Sequence, residues 1–270
     1  MATLALHDGK TATGRRWRIG AHAAYMLKVM SLSMIAAWLF RSVLFAPYYI
    51  PSGSMMPLLR EGDFFIASRW DYGISPRSFV GGAPSSPMIF ASSPDRGDVI
   101  VLSPPNDAKT TYVKRVVGIA GDRIAMRSGV LHINGIAVSS HPIRDFIAPV
   151  GGDTNCVVVP DVVDQRTMTR SGRPGCRFGR AVETLPNGVS YPTLDIAPAR
   201  TDYVDEFVVP AGMMAVMGDN RDNSLDSRVP VEAGGLGLLS TDRALGRMRA
   251  VIGSDAQGAR FLGTRAFAAD

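Results

Sequence analysis

A serine becomes a nucleophile only when a neighbouring base takes its proton, so the hydroxyls of this sequence are sorted here by what could act as that base. Pro51-Ser52-Gly53-Ser54 reads as a tight, glycine-containing turn that presents two hydroxyls. An ordinary turn serine is the commoner explanation of such a run. None of the four histidines (His7, His22, His132, His141) lies beside a polar motif, and the nucleophile-elbow pattern Gly-x-Ser-x-Gly is absent. A Ser-x-x-Lys pair is absent too, because His7, Tyr25, Asn106 and Thr111 stand three positions before the lysines.

Lysine is the remaining base, as in known variants of the serine triad. Lys10, Lys28, Lys109 and Lys114 are the only lysines among 29 basic residues. Lys10 and Lys28 lie before or within an apolar amino-terminal segment, and Lys109 lies in the polar Pro104-to-Thr110 stretch, where an ammonium stays solvated and charged. Lys114 sits in an apolar strand pattern beside Val113, with Val116-Val117 beyond Arg115. Successive strand residues face opposite sides, so Lys114 can point inward while Arg115 points away. Desolvation would lower the ammonium pKa, an option closed to arginine. By spacing alone, an exposed Lys-Arg pair on an edge strand is the more ordinary reading.

A second polar run, Met217-Gly218-Asp219-Asn220-Arg221-Asp222-Asn223-Ser224-Leu225-Asp226-Ser227-Arg228, is too polar for a core strand. Its Asp and Asn side chains favour turns, and Asp226 with Arg228 could form an ion pair. A calcium loop is the competing idea, but the EF-hand's sixth-position Gly and twelfth-position Glu are missing. Cys156 and Cys176 lack zinc-ligand spacing with any second Cys/His pair. They could close one disulfide in an oxidising compartment or stay as two buried thiols.

The elements that must position these residues follow from periodicity. Arg15, Arg16 and Arg18 precede an apolar stretch from about Ala21 to Phe45, whose uninterrupted part, Val29 to Phe40, is 12 residues long. That falls short of the roughly 20 residues of a spanning helix unless Lys28 and Arg41 snorkel at its ends. With them it reads as one uncleaved transmembrane anchor over 21–45, amino terminus cytoplasmic. A cleavable signal peptide and a buried helix are the weighed alternatives. Pro47-Tyr48-Tyr49-Ile50 would supply interfacial aromatics.

Beyond the anchor, Asp63–Ser68, Asp98–Leu102 and Tyr112–Ile119 read as strands, and Val130–Val138 as a hairpin turning at Asn134-Gly135. Val204–Val209 and Met213–Met217 read as a further pair, and Arg249–Ile252 as a last strand. Trp70–Asp95 and Ser139–Arg200 read as loops, the second long enough for an inserted subdomain. The fold class expected is therefore mainly β. It comprises an antiparallel catalytic core (46–126 and 204–253), an inserted β/loop subdomain (127–203), a cytoplasmic tail (1–20), and a tail after 253. A net charge of +5 fits an anionic membrane surface better than nucleic acid, for which no motif is present.

Four boxes, taken together and in order, resemble the type I signal peptidase (leader peptidase) family. They are Pro51-Ser52-Gly53-Ser54-Met55-Met56-Pro57, Arg96-Gly97-Asp98-Val99, Tyr112-Val113-Lys114-Arg115-Val116-Val117-Gly118 and the Gly218-to-Arg228 run. The resemblance implies a membrane-bound serine endopeptidase that removes signal peptides from exported preproteins. It implies Ser54 as nucleophile, Lys114 as general base, and Ser52 as oxyanion donor beside the Ser54 amide. Ser224 would orient the Lys114 amine, and Asp226, Arg228 and Arg115 would hold the catalytic strands together. Ile50, Met55, Leu59, Tyr112, Val113 and Met217 would line pockets for the small residues before the scissile bond. No metal or cofactor is implied, and the partners are preproteins and the lipid bilayer, with the catalytic domain on the outer face of the bacterial cytoplasmic membrane. Many members carry two anchors, whereas one is legible here. The rivals are a self-cleaving transcriptional repressor, which would need a DNA-binding domain, and a non-enzymatic membrane-tethered β scaffold.

Overall fold

Runs of Val, Ile and aromatic residues broken by Gly, Pro and Asp have one economical outcome, short strands that share their buried faces. The computed structural model describes residues 11–39, 44–73, 92–107, 110–151, 156, 158–159 and 163–254. It divides into two units, Met1–Leu44 and Phe45–Asp270. Among its described residues the first contains the helix α1 (Thr11–Leu39), whose described side chains, 22–38, are all exposed. Among the described residues no helix is long and apolar enough to cross a membrane. The physical reason is visible in the sequence: polar residues fill the first turns of α1, and Lys28 interrupts the apolar run. The expected 21–45 segment also ends early, because Phe45 already starts a strand. Residues 40–43 lie outside the described set.

The second unit is mainly β, with antiparallel sheets. Its strands are β1 (Phe45–Tyr49), β2 (Asp63–Ser68), β3 (Val99–Leu102), β4 (Tyr112–Gly118), β5 (Arg123–Arg127), β6 (Val130–Ile133) and β7 (Ile136–Ala137). There follow β8 (Ser139–Pro149), β9 (Val158–Val159), β10 (Val163–Asp164), β11 (Arg166–Met168), β12 (Pro174–Thr184) and β13 (Ser190–Asp195). The set closes with β14 (Val204–Val208), β15 (Met213–Met217), β16 (Leu239–Ser240) and β17 (Ala244–Ser254). A seven-stranded sheet has the order β1-β2-β17-β3-β4-β15-β16. One buried cluster around it joins Ile50, Met55, Leu59, Phe65, Val99, Val101 and Val251. Another joins Ile100, Leu102, Val116, Met214 and Val216, as the alternation along β3 requires.

Several expectations change here. Val204–Val209 and Met213–Met217 do form strands, but they do not pair with each other. β14 pairs with β5 and β15 with β4, and the two meet through side chains instead, Val204 and Phe207 sharing one buried cluster with Ala215 and Met217. The Asn134-Gly135 hairpin forms, with both residues at positive φ (55° and 80°), and joins β5 and β14 in a four-stranded sheet. The Arg249–Ile252 strand is longer than expected and sits between β2 and β3. The described residues of Ser139–Arg200 are largely strand rather than loop, with two eleven-residue strands, β8 and β12, pairing antiparallel. Most β8 side chains are exposed, so its sequence carries no apolar alternation to read. Cys156 and Cys176 form a disulfide, with Cys176 buried against Met56, Phe146 and Phe178. Pro47-Tyr48-Tyr49, read as interfacial aromatics, belong to β1, paired with β2. Of Trp70–Asp95, residues 74–91 lie outside the described set.

Candidate active site

One turn past β1 the chain makes a short 3-10 helix, Gly53–Met55, which carries Ser54. The entry is held by Ile50 N–H donating to the Asp63 carbonyl and Gly62 N–H donating to Ile50 O, each at 2.9 Å. Gly53 lets Met56 and Asn223 pack close: a Cβ there would meet Met56 Cε at 2.8 Å and Asn223 Nδ2 at 3.3 Å, so the flexible Met56 tip would have to move. From the other side, β4 delivers Lys114, on the strand face it shares with Val116 and opposite Ile100 of β3. Lys114 Nζ and Ser54 Oγ are hydrogen-bonded at 2.9 Å. Burial pulls the Lys114 ammonium down to about 8. Asp226 and Asp219 oppose that shift and Arg228 adds to it. A lysine amine that is neutral for part of its time near neutrality can take a proton from a hydroxyl at this distance.

The Gly218–Arg228 loop packs under this pair. Asp226 is fully buried and receives Arg228 Nε at 2.9 Å on Oδ1, Arg228 Nη2 at 2.9 Å on Oδ2, and the Gly218 amide at 3.0 Å. Burial pushes the Asp226 carboxyl up, but the hydrogen bonds and charge of Arg228 outweigh it and hold the group below the usual aspartate range. Arg115 does not join that pair. It forms a bidentate bridge to Asp219, both contacts at 2.7 Å, and donates to Gly97 O at 2.9 Å. Its guanidinium lies 4.0 Å from the centre of the Tyr191 ring. Ser224 is buried beside the site, but no hydrogen bond joins it to Lys114. Its Oγ lacks a partner at bonding distance, although it is near enough to Asp226 to help keep that carboxylate ionised.

Several residues of the site went unread in the sequence. Asn220 Nδ2 donates to Gly53 O at 3.1 Å and its amide donates to Ser54 O at 3.1 Å, tying the loop to the Ser54 turn. Gly218 makes that close approach feasible, since a Cβ would stand 2.4 Å from Ser224 Oγ and 2.6 Å from Ser54 O. Arg221 is buried against Glu183 (2.5 Å), which also accepts from Tyr191 OH (3.0 Å). The acids of the run thus diverge to separate partners: Asp219 to Arg115, Asp226 to Arg228, and Asp222 to the amides of Ile196 and Ala197. A buried Arg115 demands an acidic partner, and that signal could have pointed to Asp219. Glu183 and Tyr191 lie 38 and 30 residues from Arg221, with nothing local to mark them.

A cleft of about 600 Å³ opens over Ser54 and Lys114, lined also by Ile50, Ser52, Met55, Tyr112, Val113, Ser224 and Leu225. Leu59 and Met217 are absent from its lining. Both sit in core clusters, because their strand and turn positions face inward, away from the cleft. Along β4, the pairing with β15 covers Arg115, Val116 and Gly118, whereas Tyr112–Lys114 pair with β3 alone. That stretch of β4 therefore offers one unpaired edge to the cleft. Lys109, read as the solvated lysine, lies outside the described residues.

The family model described as "Signal peptidase, peptidase S26" matches residues 23–252. The chain belongs to the signal peptidase I family. It is 32% identical to signal peptidase I of Rickettsia conorii over 203 residues, covering 72% of this chain and 67% of that protein. The signal peptidase I of Rickettsia canadensis is also 32% identical, over 82% of this chain and 76% of its own length. A solved signal peptidase I from Enterococcus faecalis aligns with 58% of this chain and 97% of its own, at 19% identity and a TM-score of 0.31. The activity of a signal peptidase I is that of a serine endopeptidase that removes signal peptides from preproteins, and this chain has it.

Proposed function

We propose that Ser54 and Lys114 are the catalytic pair of this signal peptidase, with Ser54 as nucleophile and Lys114 as general base. The observation that carries this is the 2.9 Å hydrogen bond between Ser54 Oγ and a Lys114 amine buried to 4% exposure. A preprotein segment adds to the free edge of Tyr112–Lys114 as an extended strand. Ile50, Met55, Tyr112 and Val113 face the small residues before the scissile bond. As Ser54 Oγ bonds to the carbonyl carbon, Lys114 takes the hydroxyl proton. The proton passes to the leaving amine when the tetrahedral species collapses to an acyl ester. Water, deprotonated by the same amine, then hydrolyses the ester and frees Ser54. Ser52 supports the oxyanion reading, since its hydroxyl caps no amide of the turn it precedes and so can donate to the developing charge. Asp226, Arg228 and Arg115 act as positioning groups, and Ser224 acts on the amine through small movements of the loop.

Signal peptidases I are membrane-anchored. We read α1 together with the residues that follow it as a single-pass anchor in the bacterial cytoplasmic membrane. Its arginine-rich start would lie on the cytoplasmic side and the β unit on the outer face. Ser54 follows Phe45 by only nine positions in the chain, a spacing that suits a nucleophile acting where a signal peptide's cleavage site emerges. The test is Ser54→Ala in the full-length, detergent-solubilised protein with a preprotein as substrate. Cleavage should fall by at least about 10⁴-fold with unchanged membrane association. Near-normal turnover would overturn the assignment.

A further inference from the structure

Beside the cleft lies a second, larger groove of about 950 Å³. The two share one lining residue. Tyr49, half-exposed at the end of β1, lines both, and Met55 of the cleft is followed directly by Met56 of the groove. The groove thus begins within two residues of Ser54. Its walls come from the loop after the Ser54 turn, from β8, and from the sheet that β12 organises, and their chemistry is lopsided. Arg60, Arg144, Arg170, Arg173 and Arg180 face it, against the two acids Glu61 and Asp145. Arg60 stands over the Phe146 ring at 4.9 Å, and Arg180 Nε donates to Arg144 O at 2.9 Å, which fixes one wall. Arg144, Arg170 and Arg173 are exposed. No ion pair to any of these three is formed among the described residues. All five cations are guanidinium forks suited to pairing carboxylates.

The occupant follows from what must pass this point. An extended peptide advances about 3.3 Å per residue, so a chain lying over Ser54 enters the groove a few residues from the scissile bond. The signal-peptide side of that bond is chemically unsuited to an arginine groove: it holds small residues, then an apolar run, then positive charge. Carboxylates near the bond come from the exported chain that follows it. We propose that this arginine groove is a subsite for acidic side chains at about the third to sixth positions after the cut, biasing the enzyme toward preproteins whose mature chains begin acidic. The proposal rests on Ser54 being the nucleophile. A lipid headgroup would satisfy the same charges, but the Tyr49 wall shared with the cleft favours the peptide.

The test uses the full-length solubilised protein and two preprotein peptides that differ only at the third to sixth positions after the cut, Asp/Glu in one and Asn/Gln in the other. The acidic peptide should show a kcat/KM about three- to tenfold higher at low ionic strength, carried by KM and shrinking as salt screens the charges. In Arg144→Glu/Arg173→Glu the preference should invert, while the neutral peptide is cut at the wild-type rate. No preference in the wild type, or an equal loss on both peptides in the variant, would overturn the subsite. So would a variant with unchanged preference that loses binding to phosphatidylglycerol vesicles, which would assign the groove to headgroups. If Ser54→Ala cut either peptide at the wild-type rate, the reading of Ser54 would fall, whatever the peptide preference showed.

Discussion

Replacing Lys114 tests both halves of its proposed role, because the same burial that would let it act as a base also makes its charge costly. Burial lowers its pKa from 10.5 to about 8, a shift worth about 3 kcal/mol against the charged form. The folded pKa is below the unfolded one, so the cost is fully present below about pH 8 and is relieved as pH rises toward 10.5. Two consequences can be read separately. With a base titrating near 8, roughly one amine in ten is neutral at pH 7 and nine in ten at pH 9, so kcat/KM should rise about tenfold across that interval. Lys114→Met, which keeps length and loses charge, should be inactive yet more stable than wild type at pH 7, by up to about 3 kcal/mol in urea melts. That advantage should vanish above about pH 10.5. Lys114→Arg should be inactive and destabilised at every pH, since a guanidinium keeps its charge. The assay is a pH–rate profile of wild type beside turnover and melts of both variants. Substantial turnover in Lys114→Arg, or a wild-type limb near 10, would refute the reasoning.

Gly218→Ala forces a methyl against Ser54 O and Ser224 Oγ. It should cost about 1–3 kcal/mol of stability and about 100-fold in kcat; a kcat near wild type would show that this spacing is not used. Partial desolvation, with Asp222 and Asp202 nearby and Arg221 opposing, raises the surface residue Asp195 to about 6. Its ionised form therefore costs stability above about pH 6, fading as pH falls toward 3.8. Asp195→Asn should melt about 1–3 °C higher at pH 7.5 and equally with wild type near pH 4; a lower Tm at pH 7.5 would sink this.

Legibility in the sequence followed the range of the interactions. Asp63–Ser68 and the Asn134-Gly135 hairpin were readable because apolar alternation and turn chemistry are written in adjacent residues. Lys114 stood out through composition, a lysine kept inside an apolar strand of an arginine-rich chain, and its partner through the boxes around Ser52 and Ser54. β8 and β12 were missed because their stability lies in pairing across 25 or more positions, with outward faces that look like loop. The pairing of Arg115 with Asp219 rather than Asp226, the Glu183–Arg221 contact, and the inward turn of Leu59 and Met217 depend on packing between distant segments. None of these leaves a periodic trace.

The place of β17 in the seven-stranded sheet has a temporal consequence. Ser54 follows β1 and precedes β2, while Lys114 lies on β4, and the strand that joins β2 to β3 is β17, residues 244–254. A ribosome delivers Ser54 and Lys114 long before it delivers the strand between them. Until residue 254 has emerged, the two halves of the sheet have no shared backbone ladder, and loop closure over some 180 positions must precede any hydrogen bond that reports it. The sheet that carries the hydroxyl and the amine is therefore completed late in the chain's own synthesis.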